Sequence, residues 1–186
     1  MHILLGYTGK CLITATYQGE NLQKVGVERI LKLLNRENIQ ATFFIPGHTA
    51  ENFVQEVLSI KDAGHEIANH GYIHEPPNEL KNEEEAKSIS KGIETIEKIT
   101  GVRTQGYRSP FWNLSRHTLK ILERLNFSYD SSLMANDFTP YRPNNYIEVD
   151  SERKVKKEGF SKLIELPISW SLDDYPHFEY LTSSLP

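Results

Sequence analysis

The chain has 186 residues, a length typical of one domain, and 21 lysines and arginines against 25 aspartates and glutamates give a net charge of −4. These charges are scattered, which argues against a nucleic-acid-binding face. No apolar run approaches the roughly 20 residues that span a bilayer, and the first residues lack the pattern of a secretion signal, so we expect neither membrane insertion nor classical secretion. Cys11 is the only cysteine. It cannot form a disulfide within the chain, which fits a reducing, cytoplasmic location.

The first third of the chain alternates between helical and extended patterns. Apolar residues recur at helical spacing over residues 24–38 and predict a helix. The β-branched and aromatic run 41–45, which a Pro-Gly pair ends, predicts a strand buried on both faces. We expect a second helix capped by Thr49 and ending at 63–64, followed by a short strand over 65–68.

The same alternation continues toward the C-terminus. A long helix is predicted over residues 82–100, ending at Gly101, with isoleucines on its inner face. We expect a short strand over 106–108 and then a helix for which Ser115 is the N-cap and which reaches residue 125.

Residues 127–130 and 163–167 predict two further strands, and the polar stretch 136–159 is interpreted as a long surface loop. Strands that alternate with helices indicate right-handed β-α-β units and a parallel sheet or barrel. In such folds the functional groups lie where strands end and loops begin. Each candidate site below follows a predicted strand.

The sharpest candidates are His70 and His74, which follow the strand predicted over 65–68. Their spacing would place both imidazoles on one face of a helical turn, and neutral imidazole is a good ligand for zinc and neighbouring metals. The alternative is that both are ordinary surface histidines.

A second candidate group consists of Tyr107, Arg108, Pro110 and Trp112, which follow or end the strand predicted at 106–108. An arginine at that position can orient a carboxylate, while the proline and the aromatic residues can form the wall of a substrate pocket. The alternative is a core turn with a surface arginine.

Two more polar segments follow predicted strands. Residues 130–132, Asp-Ser-Ser, place a carboxylate and two hydroxyls at the end of one strand, although this tripeptide also forms ordinary turns. Segment 170–178 either lines a site or is a loop folded over the core. Its candidate residues are Trp170, Asp173, Asp174 and His177.

Taken together, five segments closely resemble the polysaccharide deacetylases, the NodB-homology or carbohydrate esterase family 4 group, nearest its peptidoglycan-deacetylase and allantoinase-like branch. They are residues 41–48, 64–74, 106–110, 130–133 and 170–178. The resemblance implies a distorted (β/α) barrel that hydrolyses carbon–nitrogen bonds other than peptide bonds, typically the N-acetyl group of an amino sugar. It also implies a divalent metal, with zinc expected first and cobalt or nickel next.

The resemblance further implies roles for individual residues. His70 and His74 would bind the metal together with an aspartate, Arg108 would steady a catalytic aspartate, and Trp112 would shape the pocket. Tyr107 and Pro110 are expected beside Trp112 in contact with the substrate. Trp170 and His177 are expected to contact it from the other segment.

The sequence also departs from the family pattern. Family members open with a strand ending in Thr-Phe-Asp-Asp, which supplies the base and the third metal ligand, whereas the first aspartate here is Asp62. The family's Leu-x-x-His-Pro-like stretch, which supplies the general acid, would lie beyond residue 186.

Two explanations can account for these departures. The one we favour is that the chain is a fragment, made of an atypical segment 1–18 and a partial domain 19–186 with weak or absent activity. The other is that a different carboxylate replaces the aspartate. Its candidates are Glu20, Asp173 and Asp174.

The length of the chain supports the first explanation, because a closed eight-stranded barrel usually needs about 200 to 250 residues and the pattern here predicts about six strands.

Three functions stay open: metal-dependent deacetylation of a polysaccharide or peptidoglycan amino sugar, hydrolysis of a cyclic amide or ureide in the same pocket, and non-catalytic glycan binding or assembly. We expect an acetylated carbohydrate or small amide as substrate and no nucleic-acid partner. A homo-oligomer is left open.

Overall fold

The computed structural model describes the backbone of residues 2–4, 20–145, 147–149, 155–157 and 159–169, and the side chains of residues 25–145 and 159–169. The strands are β1 (His2–Leu4), β2 (Thr42–Ile45), β3 (Glu66–Asn69), β4 (Gly106–Tyr107), β5 (Tyr129–Asp130), β6 (Ile147–Val149), β7 (Val155–Lys157) and β8 (Ile164–Glu165). Six of them form one parallel sheet in the order β1-β2-β3-β4-β5-β8. These described strands form an open sheet, which agrees with the predicted partial barrel.

The helices alternate with the strands of this sheet. They are α1 (Glu20–Arg36), α2 (Gly47–Asn52), α3 (Val54–Asp62), α4 (Asn82–Thr100) and α5 (Thr118–Arg124). The long helix α4 has the bounds that its apolar spacing predicts, and Gly101 ends it in a left-handed conformation with a φ of +71°. None of the helices that the structure describes is long and apolar enough to cross a membrane.

The core lies on both sides of α4. Phe43 and Phe44 of β2 are both fully buried, so this strand is covered on its two faces as predicted. Ile96 of α4 packs with α1, β2 and α3, whereas Ile89 and Ile93 pack with β4 and α5. One helix therefore joins the two halves of the core and passes beside the ends of β2 and β3.

Two predicted helices begin differently from what their cap residues indicated. The helix expected from Thr49 onward is two helices, because Phe53 leaves the helical region with a φ of −129° and a ψ of 50°. The N-cap of α2 is Pro46, so Thr49 lies inside the helix. α5 begins at Thr118 and His117 precedes it, so Ser115 lies further back than predicted, but its hydroxyl oxygen does accept from the His117 N–H at 2.9 Å. The Ser115 hydroxyl also donates to the buried Glu85 carboxylate at 2.5 Å.

Three strands were missed by the sequence pattern. The loop predicted over 136–159 contains the antiparallel pair β6 and β7, and the segment before the first helix contains β1, which pairs in parallel with β2. Each of these strands has only three residues, too few for a period of two to be recognised in the sequence.

Candidate metal centre and the adjacent carboxyl pair

His70 and His74 lie in the loop that follows β3, at the carboxyl end of the parallel sheet; residues 70–74 are called the histidine loop below. The loop is not the helical turn that the spacing predicted. Gly71 has a φ of +75° and His74 a φ of +66°, so the chain reverses and brings the two ring centroids to 4.8 Å. A left-handed histidine is a strained backbone conformation of the kind that concentrates at functional sites.

Both imidazoles are buried, with 1% of His70 and 9% of His74 exposed. His70 Nδ1 lies 2.6 Å from the Arg108 carbonyl oxygen, to which it donates, and this leaves the lone pair on Nε2. Burial lowers the pKa of His70 to about 3 and also lowers the pKa of His74, so both rings are neutral at pH 7. His70 Nε2 and His74 Nδ1 have no hydrogen-bond partner among the described residues.

This arrangement fits a divalent cation. A ligating histidine usually donates its second ring N–H to a carbonyl or carboxylate, which fixes the ring and its tautomer, as Arg108 does for His70. Two neutral imidazoles suit zinc and neighbouring transition metals. Among the residues described here, no group of three or more histidine, cysteine, aspartate or glutamate side chains is placed to hold a metal ion. The described part of the chain therefore offers a pair of nitrogen ligands.

Neighbouring backbone groups hold the histidine loop in place. The Gly71 N–H donates to Asn69 Oδ1 at 2.9 Å, which closes a tight turn at the end of β3. The first two N–H groups of α2, those of Gly47 and His48, donate to the carbonyls of Gly71 and Tyr72 at 3.1 and 2.8 Å. The loop is thus fixed to both β3 and α2.

Arg108 is buried at the end of β4 and connects the histidine loop to β5. Its carbonyl oxygen accepts from His70, and its guanidinium donates to the carbonyl and hydroxyl oxygens of Ser131 at 2.8 and 2.7 Å. The guanidinium carbon also lies 4.3 Å from the centroid of the Phe44 ring. The surface arginine that we held as an alternative is therefore wrong.

The aromatic residues near this arginine differ in their exposure. Tyr107 is 1% exposed, and its ring packs edge-on against Phe127 in the core. Pro110 is buried and Trp112 is half-buried. Phe111, which the sequence reasoning did not select, is 45% exposed, and its ring centroid lies 4.7 Å from that of His74. The sequence signal that could have identified Phe111 was its position directly after Pro110.

A buried carboxyl pair joins the ends of β5 and β8. Asp130 and Glu165 are register partners on adjacent strands, and both are fully buried. Asp130 Oδ1 accepts from the Ser132 hydroxyl at 2.6 Å, and Glu165 Oε1 accepts from the N–H groups of Ser132 and Leu133, each at 2.9 Å. Asp130 Oδ2 and Glu165 Oε2 receive no hydrogen bond from a conventional donor in the described residues.

One proton shared by the two carboxyls completes this pair. Burial raises the pKa of Asp130 and of Glu165, and the negative charge of Asp130 raises the pKa of Glu165 further. Because the pKa of Glu165 is raised by both causes, we assign the shared proton to Glu165, which would then donate to Asp130. Sequence reasoning missed Glu165. In the structure it lies on the same buried face as Leu163, whereas Ile164 is 42% exposed, and the apolar run 163–167 does not show this alternation in the sequence.

The remaining sequence candidates cannot be placed in this geometry. Segment 170–178 lies outside the described residues. This applies to Trp170, Asp173, Asp174 and His177, and the side chain of Glu20 is likewise not described.

Fold and site together define a parallel α/β protein with a buried pair of neutral histidines at the carboxyl end of its sheet. The polysaccharide deacetylase family model matches residues 12–129. A peptidoglycan deacetylase from Helicobacter pylori is 38% identical over 175 residues, which cover 87% of this chain and 58% of that protein. A peptidoglycan deacetylase-like protein from Gibberella zeae is 34% identical over 170 residues, which cover 85% of this chain and 50% of that protein. This chain belongs to the polysaccharide deacetylase family, as its motifs predicted.

A solved structure supports the same assignment. A Mycobacterium smegmatis protein assigned to the polysaccharide deacetylases superposes with a TM-score of 0.70 and 40% sequence identity, covering 82% of this chain and 49% of that one. The prediction of a deacetylase-type α/β fold is thereby confirmed. The chain spans 58% and 50% of the two relatives described above.

Proposed function

We propose that this chain carries the metal-binding part of a deacetylase that removes the N-acetyl group from an amino sugar of a polysaccharide or peptidoglycan. The observation that carries the proposal is the pair of buried, neutral imidazoles of His70 and His74, each with a ring nitrogen that lacks a partner among the described residues. Family membership and relatives named as peptidoglycan deacetylases support the choice of substrate class.

The chemistry of amide hydrolysis explains why such a site would need a metal. An amide carbonyl is a poor electrophile, and a divalent cation held by His70 and His74 would polarise it and activate water. Zinc is the first choice for this ligand pair, and cobalt or nickel are the next candidates.

The surrounding residues have proposed roles that follow from their positions. Arg108 fixes the tautomer of His70 through its carbonyl, so that Nε2 keeps its lone pair. The Phe111 ring packs against His74 and is 45% exposed, and with its chain neighbours Pro110 and Trp112 it would form a wall of the pocket. A sugar ring that stacks on the exposed face of Phe111 would bring its acetamido group toward the histidines.

The C-terminal candidates keep the roles that their sequence context gives them. Asp173 or Asp174 would supply the carboxylate that the family pattern requires, and Trp170 and His177 would contact the substrate. Substitution of each in the full chain, with release of acetate as the readout, tests these roles.

Metal titration of the chelator-treated, full-length chain tests the central claim. Calorimetry with Zn²⁺ should show one site per chain, and His70→Ala and His74→Ala should each weaken binding by at least about 100-fold, since each removes one of the two imidazole ligands. The control is His117→Ala, which removes a histidine outside the histidine loop and should leave the affinity unchanged. Stoichiometric binding that survives both loop substitutions would contradict the metal assignment.

A second measurement separates the three functions considered from the sequence. The zinc-loaded chain is incubated with an acetylated chito-oligosaccharide, with a peptidoglycan fragment and with a cyclic ureide, and acetate or ring opening is measured against His74→Ala. Acetate release from either glycan supports the proposal. Ring opening alone would favour the cyclic amide hydrolase, and glycan binding without turnover would favour a binding module.

A further inference from the structure

The middle of α4 packs directly on the histidine loop and the end of β3. The Ser88 hydroxyl accepts from the Tyr72 N–H at 3.1 Å, and the Ile89 carbonyl oxygen accepts from Asn69 Nδ2 at 3.2 Å. Asn69 precedes the His70–Gly71 peptide bond and Tyr72 follows it, so α4 holds the chain on both sides of this bond. Ser88 and Gly92 are four residues apart and therefore lie on the same face of the helix as this contact.

Gly92 permits the closest approach between the helix and the loop. A Cβ atom at this position would lie 2.5 Å from the Gly71 carbonyl oxygen and 2.7 Å from Asn69 Nδ2. Because real Cβ atoms essentially never approach another heavy atom within 3.0 Å, any side chain at Gly92 would displace the Gly71 carbonyl by about 0.5 Å or more. That carbonyl belongs to the residue next to His70.

The opposite side of the loop is also closely packed. A Cβ atom at Gly47 of α2 would lie 2.7 Å from Tyr72 Cδ2 and 3.0 Å from the Gly92 Cα. The Gly71 carbonyl also accepts the Gly47 N–H. The loop therefore has no free space on the α2 side into which it could retreat from a side chain at Gly92.

We propose that Ser88, Ile89 and Gly92 form a positioning surface on α4 that sets the distance between the His70 and His74 rings for metal binding. This inference rests on the proposed function, because it takes the two histidines as metal ligands. Ligating groups must be held within about 0.5 Å of their productive positions, which is the size of the shift that a Gly92 side chain imposes. Gly92 acts through Gly71 and is a positioning residue.

The test compares Gly92→Ala and Ser88→Ala with two matched controls. Gly26→Ala adds the same methyl group to α1, where nothing lies within 4 Å of the added Cβ atom. Ser90→Ala removes the same hydroxyl from α4 at a position about 200° around the helix from Ser88. The dissociation constant for Zn²⁺ is measured by calorimetry on the full chain, and the melting temperature is measured on the same samples.

Substitutions behind a metal site typically weaken metal binding by about 10 to 100-fold. We expect a loss in that range for Gly92→Ala, a smaller loss for Ser88→Ala, and affinities within twofold of the wild type for both controls. A Gly92→Ala chain with a lower melting temperature but unchanged affinity would overturn the proposal, because the glycine would then serve packing alone. If Gly92→Ala does not fold, Ser88→Ala decides, and wild-type affinity in that variant overturns the proposal.

A metal-free measurement separates this inference from the proposed function. If the wild-type chain binds no Zn²⁺, the proposed function fails, but positioning can still be observed in the ¹⁵N and ¹H resonances of the His70 and His74 rings. Gly92→Ala should shift these resonances more than Gly26→Ala does. Equal spectra for the two variants would contradict the positioning role. Wild-type binding that His70→Ala abolishes and Gly92→Ala leaves intact would contradict only this inference.

Discussion

The histidine pair after β3 and the carboxyl pair between β5 and β8 lie at the same end of the sheet, and both are buried, yet their unpartnered atoms have different meanings. His70 and His74 each keep a ring nitrogen without a partner in the described structure, and with the His74 proton on Nε2 both of these nitrogens carry lone pairs that a cation can accept. Asp130 and Glu165 also keep one such oxygen each, but a single proton between them satisfies both.

Buried polar groups are almost always paired, so a buried ring nitrogen with no partner among the described residues is a candidate ligand position. Two acids side by side are completed by a proton and need nothing else. On this basis the histidine pair is the candidate ligand site, and the carboxyl pair is a clamp that fastens β8 to the sheet.

The largest expected effect is on the clamp. Glu165→Ala would leave Asp130 as a buried carboxylate without its proton donor and would leave the N–H groups of Ser132 and Leu133 unpaired. Breaking a buried pair in this way typically costs about 3 to 5 kcal/mol, and we expect that loss in the free energy of unfolding measured with urea.

Glu165→Gln is the matched variant for this prediction. The carbonyl of the introduced glutamine could still accept from both backbone N–H groups, and its amide could donate to Asp130, so we expect a loss below about 1 kcal/mol. Equal losses in the two variants would contradict this account, because the hydrogen bonds that glutamine keeps would then contribute nothing to stability. Zinc affinity should stay within twofold of the wild type in both, because neither variant alters the histidine loop.

The two regions should also differ in how pH changes the free energy of unfolding. The pKa of His70 is about 3 in the folded chain, against an ordinary value of 6.5 for an exposed histidine, so between these values the unfolded state binds a proton that the folded state excludes. The contribution of His70 to the free energy of unfolding of the metal-free chain should therefore fall by about 1.4 kcal/mol per pH unit below pH 6.5, or about 2 kcal/mol by pH 5. His70→Ala should flatten this slope.

The carboxyl pair contributes a slope of the opposite sign to the free energy of unfolding as the pH changes. Because the pKa of Glu165 is raised, the folded chain keeps a proton that the unfolded chain releases above its ordinary value of 4.5, so this group reduces stability as the pH rises. This contribution runs from pH 4.5 to about 9, so Glu165→Gln should remove a fall in stability with rising pH both below and above pH 6.5. Urea unfolding of the wild type, His70→Ala and Glu165→Gln across pH 5 to 9 measures each contribution as a difference from the wild type. Contributions that do not add in the double variant would show that the two regions titrate as one unit.

The sequence predicted the fold and the histidine pair because both depend on local pattern. Apolar spacing located α4, and the order of motifs located His70 and His74 after a strand. The geometry of the histidine loop could not be predicted in this way, because the left-handed His74 and the close approach of Gly92 depend on how α4 packs against β3. Glu165 was missed for a related reason: its partner Asp130 is 35 residues away and adjacent only through strand register.

The smallest effect tests whether the two regions are connected through Arg108. Ser131→Ala removes the hydroxyl that accepts from the Arg108 guanidinium and donates to the Leu166 carbonyl at 2.8 Å, while the Ser131 carbonyl remains an acceptor. We expect a loss of about 1 kcal/mol in the free energy of unfolding. The control Ser128→Ala removes an exposed hydroxyl just before β5 and should cost less than about 0.5 kcal/mol. Because His70 is held by the Arg108 carbonyl and not by its guanidinium, zinc affinity should stay within twofold in both variants. A tenfold loss of zinc affinity in Ser131→Ala alone would show that the clamp and the metal site form one coupled network.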